Sequence, residues 1–107
     1  MSLTQKWNEH ELTVEDIKPW VEKQAGAEKI KLSPQNVETI AFNIWKVYQT
    51  VEGLREDYLG HFLTAIRKGD YETAVFRADL LNYRALIIYA KYFYNHSPRS
   101  YYDNRKK

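Results

Sequence analysis

The sequence predicts an all-α domain: a long antiparallel helical hairpin with a short N-terminal helix packed across it. Three observations lead there. Apolar residues recur at helical intervals from Val37 to Tyr94. Ser33-Pro34 and Gly69-Asp70 are the punctuation of helix starts and stops. The one alternating stretch, Glu28 to Leu32, is five residues long and has no partner strand, so it reads as a loop that tucks Ile30 and Leu32 against the helices.

Residues 1–12 mix Trp7 with polar neighbours without a sustained period and read as an N-terminal arm. Thr13 is an N-cap, with Glu15 and Asp16 in the first turn where the helix dipole favours negative charge. A short helix follows from Val14 to about Gln24, with Pro19 loosening or kinking it and Ala25-Gly26 ending it. Ser33 caps the next helix and Pro34 occupies its first position, where a missing amide costs nothing. The stripe Val37, Ile40, Ala41, Ile44, Tyr48 and Val51 continues in phase through Leu54, Tyr58, Phe62 and Ile66. One long helix from Pro34 to about Arg67 is therefore expected, with Gly53 and Gly60 as the places where it could bend.

Gly69 and Asp70 close that helix and cap the next, so the flanking helices are antiparallel neighbours. The last helix, Tyr71 to about Asn95, carries two apolar rows. One holds Tyr71, Ala74, Val75, Ala78, Ala85, Tyr89 and Tyr92; the other holds Phe76, Leu80, Tyr83, Ile87, Ala90 and Tyr94. A helix apolar on several sides needs cover on several sides. Two helices and a short third do not supply it, which points to a homodimer with a four-helix core. Residues 13–96 form the single helical domain, and 97–107 are a basic flexible tail that begins where Pro98 stops the helix.

The chain has 107 residues, 44% of them hydrophobic, 28% charged and 15% aromatic, which suits one soluble globular domain. With no cysteine, disulfide and thiolate chemistry are excluded, and His10, His61 and His96 are too far apart for a histidine-based metal motif. No cofactor and no metal are expected. The longest uninterrupted apolar run, Ala85 to Ala90, is far short of the roughly 20 residues of a membrane span. A secretory signal is not apparent either, so the expected location is the cytoplasm.

Without a recognisable catalytic constellation, the leading expectation is a non-enzymatic interaction module, homodimeric and with an unidentified protein partner. Its interface residues are Phe76, Leu80, Tyr83, Ile87 and Tyr94. Asp79 and Arg84 form either a polar seam between protomers or a solvated strip. An alternative is nucleic-acid binding by the aromatic and basic C-terminal end, through Lys91, Arg99, Tyr101, Tyr102, Arg105, Lys106 and Lys107. Aromatic rows at helical spacing are more often core or interface, and the pI near 8.8 lies below that of strongly basic nucleic-acid-binding domains.

Arg55 and His61, in REDYLGH, give a spacing that resembles the Arg-to-His pair of the HEPN family of small helical ribonucleases. The resemblance covers this heptad alone; it implies RNA cleavage by that pair across a dimer. AIRKGDYETAV is similar to the turn of tetratricopeptide-like hairpins, but one hairpin without a repeat does not make a solenoid.

Overall fold

Short polar side chains decide where most helices begin, and left-handed residues decide where the first four end. The computed structural model describes residues 1–55, 59–98 and 101. Among them the chain is all-helical: α1 (Leu3–Asn8), α2 (Val14–Ala27), α3 (Pro34–Val51), α4 (Gly60–Lys68), α5 (Tyr71–Arg77), α6 (Leu80–Arg84) and α7 (Leu86–His96). Ser2, Thr13, Ser33, Asp70 and Asp79 each accept a hydrogen bond from the amide three residues on, satisfying a first-turn donor of α1, α2, α3, α5 and α6. Thr13 and Asp16 complete a reciprocal capping box.

Helices α1 to α4 end alike. His10, Lys29, Gly53 and Gly69 have positive φ. After each, the next amide reaches back five residues: Glu11 to Lys6, Ile30 to Ala25, Leu54 to Gln49, and Asp70 to Ala65. These are Schellman closures. The closure at Gly53 corrects the expected 34–67 helix, which stops at Val51 although the apolar phase runs on. Gly60, also at positive φ, opens a separate α4.

The expected 71–95 rod is also corrected. Ala78 has extended backbone (ψ 140°), and Asp79 serves as an N-cap, its carboxylate accepting from the Asn82 amide at 2.8 Å. An aspartate stabilises a helix start more than a helix interior, because its short side chain competes for nearby amides. The break frees α5 to form a short hairpin with α4 while α7 packs on α2. Ala85, with φ −89° and ψ 2°, ends α6 and begins α7: its amide bonds to Leu81, and the Ile88 and Tyr89 amides both reach its carbonyl.

The core is one cluster drawn from both ends of the chain. Trp7 is fully buried. Its ring meets Tyr48, Phe93 and Tyr101 edge-on at 5.2, 6.0 and 5.9 Å, and its indole N–H donates to Glu52 at 2.6 Å. The stretch read as an arm is thus built into the core, because a buried indole finds both apolar cover and an acceptor there. The segment read as a tail is likewise tied down at Tyr101. That side chain is buried, stacks on Phe93 at 5.0 Å, and donates its hydroxyl to the Ile66 carbonyl at 2.8 Å. Ile30 and Leu32 pack against the core as expected. No helix among the described residues is long and apolar enough to cross a membrane.

Candidate functional site

The two rows of the last third of the chain part company. From the inner row, Ala74, Ala85, Tyr89 and Tyr92 are buried, joined by Ile88. Three polar contacts fix the rotation of α6 and α7. The Tyr89 hydroxyl accepts from Asn43 of α3 at 3.0 Å and donates to Asn82 at 2.7 Å. Burial pushes the Tyr89 hydroxyl far up from its usual range; the Asn43 bond opposes this and the nearby Asp79 charge adds to it, so the group stays neutral. Tyr92, raised first by burial and then by Asp16 and Tyr48, stays neutral as well. On the opposite flank, Lys91 bonds to Glu28, the C-cap of α2, and holds that carboxyl below its usual range. His96 closes the lower end against Trp20 and Tyr92, with ring centroids 5.4 and 5.6 Å away, and burial lowers its pKa.

With the inner row fixed, the outer row faces out. Phe76 is 80% exposed, Leu80 75%, Tyr83 56%, Ile87 42% and Tyr94 77%. These are the five residues expected at an interface, and each is exposed in the described structure. A groove of about 540 Å³ is lined by Tyr71, Val75, Tyr83, Arg84, Leu86, Ile87 and Ala90. Exposed large apolar side chains that gather on one surface mark interaction sites more often than scattered ones do. Asp79 and Arg84 are both exposed; Asp79 caps α6, and Arg84 is among the residues lining the groove.

A second concavity, about 580 Å³, lies where α3, α4 and the α5–α6 junction meet; Asn43, Lys46, His61, Arg77, Asp79 and Asn82 are among its lining residues. His61 lines it and Arg55 does not; the Arg55 guanidinium lies over the Trp45 ring, 5.7 Å from its centroid. Residues 56–58, between Arg55 and His61, lie outside the described residues. No group of three or more His, Asp or Glu that could hold a metal occurs among the described residues.

The residues of the nucleic-acid reading are dispersed. Tyr101 is buried and cannot stack on a base; this corrects its assignment, since its ring and hydroxyl are both committed to the core. Lys91 is engaged by Glu28. Arg99, Tyr102, Arg105, Lys106 and Lys107 lie outside the described residues. Sequence reasoning missed the Asn43–Tyr89–Asn82 relay, and no local signal could have found it, because Asn43 and Tyr89 are 46 residues apart. The chain matches no protein-family profile, no curated protein and no solved structure.

Proposed function

We propose that this protein is a small cytoplasmic interaction module without catalytic activity, which self-associates through the outer face of α5 to α7. The observation that carries the reading is the set of exposed large apolar residues: Phe76 on α5, Leu80 and Tyr83 on α6, and Ile87 and Tyr94 on α7. At roughly 200 Å² per large side chain, these five expose on the order of 600 Å². A second copy offering the same row gives about 1,200 Å² in total, the lower end of specific interfaces. The expected association is therefore weak, in the micromolar range, and regulated by local concentration.

Charge supports a second copy as the occupant. Exposed Glu72, Asp79, Arg77 and Arg84 place both signs around the apolar row, and a two-fold interface needs a self-complementary patch. The dimer differs from the expected four-helix core made of two long hairpins. Each copy already has a closed core of its own, and pairing adds one helix face to another.

Sedimentation equilibrium on the wild-type chain and on a Leu80→Glu, Ile87→Glu variant tests this. The wild type dimerises at high micromolar concentration, while the variant is monomeric with unchanged helical circular dichroism. A wild type that stays monomeric throughout that range overturns the proposal.

A further inference from the structure

Arg77 and Asn82 are five positions apart, which in one continuous helix sets them about 140° from each other around the axis. The extended backbone at Ala78 removes that constraint, and both side chains line the concavity of about 580 Å³ where α3, α4 and the α5–α6 junction meet. Lys46 of α3 and His61 of α4 line it too, so four helices each contribute one nitrogen-bearing side chain. The Lys46 ammonium lies 5.8 Å from the centroid of the Phe42 ring, and neither Lys46 nor Arg77 has an ion-pair partner among the described residues. Asn82 is held in register by the Tyr89 hydroxyl, which donates to its side-chain carbonyl at 2.7 Å. That bond fixes the amide plane and leaves both N–H groups of the Asn82 side chain without a partner among the described residues.

We propose that this concavity binds a small phosphate monoester with an aromatic or apolar organic group. Donor chemistry selects the phosphate: a guanidinium fork, an ammonium, an imidazole and an amide supply more N–H groups than the two oxygens of a carboxylate can use. A phosphate monoester brings three acceptor oxygens and up to two negative charges. Leu59, the N-cap of α4, offers no side-chain acceptor, and the partial positive charge of that helix start falls on the same wall. The organic group takes the remaining space. Phe76 also lines the cavity, and its ring, 80% exposed, presents a face for stacking. Asp79 limits the affinity: its carboxylate lines the cavity while accepting from the Asn82 backbone amide, and there it opposes an anion. Two fixed positive charges against one negative, all partly solvated, give a dissociation constant of roughly 0.1–1 mM at low salt. The site lies within one chain and does not depend on self-association.

Proton–nitrogen correlation spectra at low ionic strength test it, with phenyl phosphate and adenosine 5′-monophosphate as ligands and phenol, adenosine and inorganic phosphate as controls. Both monoesters shift the side-chain amide of Asn82 and the backbone amides of His61 and Arg77. They bind at least roughly tenfold more tightly than phenol and adenosine, and more tightly than inorganic phosphate. Arg77→Gln and Lys46→Gln each weaken binding by roughly three- to tenfold. Asp79→Asn, which keeps a capping side chain, strengthens it by roughly threefold. If neither monoester moves these resonances, or if phenol and adenosine bind as tightly, the site is refuted. Inorganic phosphate binding as tightly as both monoesters overturns the organic half of the ligand. Weaker binding by Asp79→Asn overturns the choice of an anion.

Discussion

Replacing Trp7 by alanine tests whether the first turn of the chain belongs to the core. The indole is wholly buried and packs edge-on against Tyr48, Phe93 and Tyr101. Truncating a core aromatic of this kind costs about 3–5 kcal/mol. The loss of the N–H that donates to Glu52 adds about 1–2 kcal/mol; His10, 3.6 Å from the same carboxylate, and solvent compensate in part. The two contributions overlap, so a net loss of about 4–6 kcal/mol is expected, a large share of the roughly 5–15 kcal/mol that holds an ordinary domain together. Urea denaturation followed by circular dichroism measures it, with Trp7→Phe as the intermediate that keeps most of the ring and loses the donor. Phe76→Ser, on the outer face, changes the stability of the monomer by less than about 0.5 kcal/mol in the same assay. A Trp7→Ala variant within about 1 kcal/mol of wild type would show that α1 is not part of the core.

Lys29→Gly raises stability by about 0.5–1 kcal/mol, because glycine relieves the left-handed backbone of the α2 closure; a lower thermal midpoint for this variant would contradict it. Tyr101→Phe keeps the stacking on Phe93 but loses one of the two hydrogen bonds to the Ile66 carbonyl, which still accepts from the Gly69 amide, costing about 1 kcal/mol in chemical denaturation. Nucleic-acid binding by the tail is accordingly best tested by neutralising Arg105, Lys106 and Lys107 together, since deleting Tyr101 also damages the core. His96 carries a pH dependence: its folded pKa lies below the unfolded 6.5, so the unfolded chain takes up the proton first as pH falls. The stability His96 contributes above that value is lost on acidification, and His96→Phe flattens the slope between about pH 7 and 5.5, above the range where Asp16, Glu28 and Asp70 titrate.

Much of the fold was legible because it is local. The caps at Thr13, Ser33 and Asp70 and the stop at Gly69 depend on side chains three residues away or on a backbone that glycine tolerates, and the sequence states both directly. Period alone misled where two local signals competed. The apolar phase through Gly53 and Asp79 argued for continuous helices, yet a Schellman closure and an aspartate cap broke them. The outer row Phe76, Leu80, Tyr83, Ile87 and Tyr94 could be named from spacing as a face needing cover. Only the packing decided which of the two rows the core would take.

What the sequence by itself determined, then, is the helical class, most helix starts, and the presence of two apolar rows near the C-terminus. The tertiary structure decided that Trp7 and Tyr101 meet in one aromatic cluster, that Asn43 locks Tyr89, and that the outer row is left bare. The physical reason is distance along the chain. Caps and periodicity act within a turn or two of helix, whereas burial is settled by residues dozens of positions apart competing for the same interior.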